Sequence, residues 1–105
     1  MVNIVAVCSC PSGVAHTYMA TEGLEMAAKK INATIKIETQ GAMGIENEIT
    51  EKDIASADFV VLTNDVKIRN FERFDGKPIY YISSNDAIRK ANTFLEKIII
   101  ERGIK

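Results

Sequence analysis

Four short apolar runs, alternating with stretches of helical or turn character, constrain the fold of this chain more than any other feature of its sequence. Val2 to Val7 (VNIVAV) is β-branched and lacks clean alternation, as in a strand covered on both faces. Thr34 to Thr39 (TIKIET) alternates Ile35 and Ile37 with polar residues, which reads as a strand nearer an edge. Phe59 to Thr63 (FVVLT) and Pro78 to Ile82 (PIYYI) complete the set. Between them, Ala15 to Ile31 is helical in pattern, with Met19, Ala20, Gly23, Ala27 and Ile31 near one face and Lys29 and Lys30 at its carboxyl end. Gln40 to Glu48 reads as a loop punctuated by Gly41 and Gly44. Thr50 with Asp53 resembles a capping pair for a short helix through Ala57. Asp65 to Phe74 reads as a short helix or turn ended at Asp75-Gly76. Ser83 and Asp86 open a long terminal helix with an apolar stripe of Ala87, Ala91, Leu95, Ile98 and Ile99, and Gly103 ends it. The order βαβαβαβα predicts a four-stranded parallel sheet with helices on both faces and right-handed crossovers.

The 105 residues are read as one domain, residues 1–105, able to bury roughly two-thirds of its unfolded surface without staples. Hydrophobic residues make up 47% and Trp is absent, so the core is built from aliphatic side chains. A net charge of −1 with dispersed signs argues against a nucleic-acid partner. The opening MVNIVAV lacks the basic region of a leader, and no apolar run nears the ~20 residues that span a bilayer. The expectation is a soluble, reduced, cytoplasmic protein without direct membrane insertion. Met1 directly ahead of the first strand leans toward a separate polypeptide. No cofactor and no metal are expected. Cys8 and Cys10 are spaced C-x-C, which is poor for a disulfide and incomplete for a metal site, and His16 is the sole histidine.

In open parallel α/β sheets ligands bind at the carboxyl ends of the strands. Three segments meet there: Cys8–His16, Thr39–Asn47 and Thr63–Asp65. The informative one is Cys8-Ser9-Cys10-Pro11-Ser12-Gly13-Val14-Ala15-His16-Thr17, which joins the first strand to the first helix. Unpaired amide groups and the positive end of the helix dipole favour an anion near Cys10, and the same field stabilises a thiolate. Gly13 allows close approach of the backbone, Pro11 presets the turn, and Ser12 and Thr17 offer hydroxyl donors. The parts amount to a nucleophile inside its own anion nest, with Cys10 catalytic and Pro11, Ser12, Gly13, Val14, Ala15, His16 and Thr17 around the phosphoryl group. The spacing from Cys10 to His16 is C-x5-H. Phosphatases that form a cysteinyl phosphate carry C-x5-R, whose arginine clamps the phosphoryl group. A loop without that clamp, and without an evident Asp general acid, suits a phosphocysteine that persists until transfer.

The segment Cys10 to Ala20 (CPSGVAHTYMA) resembles the phosphorylation motif CPTG[IV]AHTFMA of fructose-class EIIB domains of the bacterial phosphoenolpyruvate-dependent sugar phosphotransferase system (PTS). Glu38-Thr39-Gln40-Gly41 resembles that family's VETQG, and Ala57-Asp58, Asp65, Arg73-Phe74 and Gly76-Lys77 follow in its order. The departures are Ser12 for Thr, Tyr18 for Phe, and Thr21 and Gly23 for the commoner alanines. The resemblance covers essentially the whole chain. It implies a Rossmann-like three-layer domain and a phosphoryl relay. Cys10 takes a phosphoryl group from a phosphohistidine of an EIIA domain. It passes the group to fructose or a fructose-like sugar held by the membrane-embedded EIIC, which places the chain at the inner face of the membrane. It also raises Gln40 and Gly41 as residues lining the site.

Plainer readings stand beside these. Cys8 ends an apolar strand and is assigned to the core. His16 is open between a phosphate-contacting group and a helix-start residue. Asp65 is a turn former, with a place in the site as its alternative. Arg73 is read as a solvated charge rather than a docking residue. Three other functions compete with the phosphocarrier: an autonomous cysteine-dependent phosphatase, a thiol redox module using Cys8 and Cys10, and a regulatory copy that only docks a partner. The intact Cys10 loop argues against the last.

Overall fold

The computed structural model describes residues 2–9, 14–41, 44–63 and 67–103, and for residues 14–17 the backbone alone. Its strands are β1 (Asn3–Ser9), β2 (Thr34–Gly41), β3 (Gly44–Glu46), β4 (Phe59–Thr63) and β5 (Ile79–Ile82). The helices are α1 (Val14–Lys30), α2 (Glu51–Ser56), α3 (Ser84–Arg89) and α4 (Ala91–Arg102), with a 3-10 turn at Phe71–Phe74. The strands form one sheet in the order β3-β2-β1-β4-β5. β1 lies at its centre, parallel to β2 and β4, and β5 is parallel to β4.

The α/β class and the covering of both faces follow the sequence expectation, but the sheet has five strands rather than four. The extra strand is β3, inside the segment read as a loop. It pairs antiparallel with the end of β2, Thr39 opposite Glu46 and Gly41 opposite Gly44. Gly44 has φ +111°, a conformation that costs a glycine little and lets so short a hairpin close.

Parity along β1 sorts the core into two halves. Ile4, Ala6 and Cys8 face α1, α3 and α4, where Ala20, Leu24, Ala27, Ala28, Ala87, Ala91, Leu95 and Ile98 close over them. Val5 and Val7 face the other way, against Ile49, Ile54, Ala57, Ile68 and Phe74. Cys8 is buried, as assigned. Met19 is not on the buried face of α1 but 54% exposed. At 100° per residue the buried arc runs through Ala20, Leu24, Ala27 and Ala28, and Met19 falls a quarter turn outside it.

Several local signals operate as their chemistry requires. The Thr50 hydroxyl accepts from the Asp53 N–H while the Asp53 carboxylate accepts from the Thr50 N–H, a reciprocal capping box for α2. The Ser83 hydroxyl accepts from the Asp86 N–H to start α3. Gly103 closes α4 in the left-handed conformation. The terminal helix is not continuous, however. Lys90 leaves helical geometry at φ −127° and splits it. Both pieces pack against α1, which a single straight rod crossing that helix would touch over one stretch only.

The closest helix contact is between α1 and α3. A Cβ built on Gly23 would stand 2.3 Å from the Ala87 carbonyl oxygen. The glycine there is thus a packing requirement of this chain, met by bringing the α3 backbone onto α1.

At the amino end of the sheet, Asp58 clasps β1 to β4. Its carboxylate accepts from the Asn3 N–H at 2.7 Å and its own N–H donates to the Asn3 carbonyl at 2.7 Å.

Candidate active site

At the carboxyl end of the sheet, β1 ends on Ser9, one residue before Cys10. The β1–β2 ladder runs as far as Ser9 opposite Gln40, whereas the β1–β4 ladder stops at Val7 opposite Leu62. A side chain continues where the β4 ladder stops. The Ser9 N–H donates to the Thr63 hydroxyl (2.9 Å), and that hydroxyl donates to the Ser9 carbonyl (3.0 Å). Thr63 is 1% exposed and Ser9 8%, so both bonds are shielded from water. Of the three segments expected to meet, the described ends at Ser9, Gln40 and Thr63 come together here.

Further along the chain, α1 opens at Val14, with no acidic residue in its first turn and Lys29 and Lys30 in its last. This leaves the positive end of its dipole uncompensated by carboxylates of its own helix. Cys10, Pro11, Ser12, Gly13 and Asp65 lie outside the described residues, as do the side chains of Val14, Ala15, His16 and Thr17.

Gln40 and Gly41 lie beside Ser9 and tie down the segment that follows β4. The Gln40 carbonyl oxygen accepts from the Arg69 N–H (2.8 Å), and its amide nitrogen donates to the Arg69 carbonyl (3.1 Å) and to Glu38 (2.7 Å). Arg69 in turn reaches back to the Gly41 carbonyl through Nη2 (3.1 Å). Gln40 is buried and Gly41 exposed.

Two residues earlier, and on the same face by strand alternation, Glu38 is fully buried. Arg73 grips it with Nη1 at 2.8 Å and Nη2 at 2.6 Å, one to each carboxylate oxygen. With the Gln40 amide already bonded to the same carboxylate, the Ile49 N–H adds a fourth donor at 2.9 Å. Burial pushes the Glu38 carboxyl up, but the bonds from Arg73, Gln40 and Ile49 outweigh it and hold the group below its ordinary value. Arg73 also donates to the Ile49 carbonyl (3.3 Å) and lies over the Phe74 ring at 4.7 Å. It is therefore not the solvated charge read from the sequence. Its partner stands 35 residues away, which no local pattern reveals.

The polar face of β2 thus serves as a buried brace. Through Glu38 and Gln40, the strand end next to Ser9 holds both the Arg69 backbone and the turn at Phe71–Phe74. The only trace of it in the sequence is a Glu and a Gln two residues apart, at the end of a segment that reads as a strand nearer an edge.

A cleft of about 570 Å³ lies on the α2 face beside Arg73, lined also by Ile49 and Ile54 and rimmed by Glu48, Glu51 and Glu72. Three carboxylates make it a poor place for a phosphoryl group. Among the described residues no His, Cys, Asp and Glu cluster has the makings of a metal site, and no helix is long and apolar enough to cross a membrane.

An open α/β sheet whose central strand ends shortly before a helix N-terminus defines a class of anion-handling domains. Comparison with known proteins narrows the class. Residues 5–97 match the family model for the PTS system lactose/cellobiose-specific IIB subunit. The PTS fructose-like EIIB component 2 of Escherichia coli K12 is 53% identical over 98 residues, covering 93% of this chain and 92% of that one. Fructose-like EIIB component 1 of the same organism is 42% identical over 96 residues, with 91% and 89% covered. The solution structure of an Enzyme IIB subunit of the PTS from E. coli K12 superposes with a TM-score of 0.91 at 39% identity, covering 97% of this chain and 94% of that one. A crystal structure of a domain from the fructose-specific IIABC component of Borrelia burgdorferi gives 0.85 at 44% identity, with 91% of each covered. This chain belongs to the EIIB family of the phosphotransferase system, in its fructose class, and is a phosphoryl-transfer subunit of sugar transport.

Proposed function

We propose that Cys10 is the residue that carries the phosphoryl group. The observation that supports this most is the CPSGVAHT segment, which starts one residue past the buried Ser9 anchor and runs into the first turn of α1. The Cys10 thiolate attacks phosphorus on a phosphohistidine of an EIIA domain. The S–P bond forms, the N–P bond breaks, and the released imidazole takes a proton. In the second step a hydroxyl of the sugar attacks the same phosphorus. The O–P bond forms, the S–P bond breaks, the thiolate is regenerated, and the hydroxyl proton passes to a base or to water. Backbone N–H groups of residues 12–15, the hydroxyls of Ser12 and Thr17, and His16 stabilise the phosphoryl oxygens, Pro11 shapes the turn without donating, and Gln40, Gly41 and Asp65 stand at the rim.

The sugar acceptor is fructose or a fructose-like sugar held by EIIC. Support comes from the fructose names of the relatives and from the fused EIIB'BC component of E. coli K12, which is 42% identical over 99 residues and of which this chain spans 17%. Partnership with EIIC places the domain at the inner membrane face.

The test is intact-protein mass spectrometry after incubation with phosphoenolpyruvate, the general relay proteins and a fructose-class EIIA. A gain of about 80 Da in the wild type and in Cys8→Ser, absent in Cys10→Ser, is the expected result. A gain retained in Cys10→Ser would overturn the assignment. Multiple turnover on an aryl phosphate with no partner present would instead favour the autonomous phosphatase.

A further inference from the structure

We propose that Thr63 is a positioning residue for the reaction at Cys10, a role that rests on the phosphocysteine reading above. The argument starts from the unequal ladders around β1. On the β2 side, backbone pairing reaches Ser9; on the β4 side it ends at Val7. Ser9, the last residue of the central strand, is met on the β4 side by the Thr63 hydroxyl.

That hydroxyl accepts from the Ser9 N–H and donates to the Ser9 carbonyl. A threonine hydroxyl has one proton and two lone pairs, so it can serve both roles at once, and valine of the same shape can serve neither. The Ser9 carbonyl belongs to the peptide unit that links Ser9 to residue 10. A peptide unit is planar, so holding its oxygen restricts the plane through which the chain continues. β-branching limits Thr63 to few rotamers, and at 1% exposure the side chain is locked by its neighbours. A buried, rigid group thus sets the departure of the chain from β1.

A merely structural role would act through stability alone, and the protein contains a matched control. Asp58 clasps the same two strands at their amino ends, through Asn3. Asp58→Ala removes a side-chain bond between β1 and β4 far from Ser9. Two quantities are measured on wild type, Thr63→Val, Thr63→Ser and Asp58→Ala. One is the rate of phosphoryl gain from EIIA at saturating donor. The other is the pH profile of iodoacetamide alkylation at Cys10, read by fragment-ion mass spectrometry.

Thr63→Val is expected to slow transfer about tenfold and to move the alkylation midpoint to higher pH, since small misplacements of a reacting group carry large rate penalties. Asp58→Ala and Thr63→Ser are expected to stay within about twofold of wild type in both quantities, Asp58→Ala despite its lower thermal stability. Thr63→Val tracking Asp58→Ala in rate and profile would overturn the proposal. If Thr63→Val does not fold, Thr63→Ser decides, because it keeps the hydroxyl and must keep the profile; a shifted profile there overturns the proposal equally. Failure of the phosphocysteine reading is seen separately, as no mass gain in wild type, and the alkylation profile then still reports whether Thr63 sets the thiol.

Discussion

Arg73 places its two terminal nitrogens on the two carboxylate oxygens of Glu38, 35 residues earlier in the chain, and the pair is closed off from water on the Glu38 side. The pair fastens the turn that follows β4 to the strand beside Ser9, so it links fold stability to the place where the chemistry is proposed.

Removing one partner of such a pair strands the other. Arg73→Leu leaves a buried carboxylate with only Gln40 and the Ile49 N–H, and it is expected to cost about 3–5 kcal/mol. Arg73→Lys should recover part of this but not all, because a single ammonium cannot reproduce the fork. Urea denaturation of the three proteins measures both differences. Equal midpoints for wild type and Arg73→Leu would contradict the brace.

Acid should unfold the domain through two carboxylates held below their ordinary values. Lys36, at 2.6 Å, and then the N–H and hydroxyl of Thr50 bring Asp53 from 3.8 to about 2. Glu38 is lowered as described. A carboxyl depressed in the folded state stabilises fully above its unfolded value and loses that contribution as pH falls through the folded one. Melting temperature should therefore stay level down to about pH 5 and fall steeply below about pH 4. Asp53→Asn should flatten part of that limb, between about pH 4 and pH 2. A melting temperature that rises on acidification would show the sign to be wrong.

Gly23→Ala tests the α1–α3 contact. In an exposed helix this change would stabilise by about 1 kcal/mol. Here the added methyl meets the Ala87 carbonyl, a backbone atom that cannot swing aside. Overpacking should dominate, with a net loss of about 1–2 kcal/mol in the unfolding free energy. A more stable Gly23→Ala would mean that α3 shifts freely.

The Tyr18 hydroxyl donates to Glu46 at 3.0 Å, joining α1 to β3 across the solvent. That bond and the nearby charge hold the phenol above its usual 10.0. Glu46→Gln should bring one of the three tyrosines down in a spectrophotometric titration. Tyr18→Phe should leave the urea midpoint almost unchanged, because the bond is exposed. A titration unchanged by Glu46→Gln would rule the bond out.

Much of the architecture was legible because its signals are local. The β-branched runs, the Thr50–Asp53 box, the Ser83 cap and the Asp75-Gly76 turn each act within a few residues of themselves. What escaped is non-local. β3 is three residues long, and Gly41 and Gly44 look the same in a hairpin as in a loop. The alternation in Thr34–Thr39 was visible, but which side was wet was not. Ile35 and Ile37 do face the core under α1, yet Glu38 and Gln40 on the opposite side are buried as well, because the segment from Arg69 to Phe74 folds over them. At the site, Thr63 lay in a segment expected to reach the carboxyl end of the sheet. Nothing in FVVLT distinguishes a threonine that anchors a neighbouring backbone from one that merely ends a strand.

The short β3 hairpin has a consequence for how copies of the domain meet one another. An open sheet offers its outer strand as a template for a further chain. Here β3 occupies that template along Thr39 to Gly41, and the Asn47 side chain takes the Ile37 carbonyl at 2.9 Å. The remaining stretch carries Lys36, whose charge is engaged by Asp53. The chain is thereby left little backbone on this border with which to polymerise with itself.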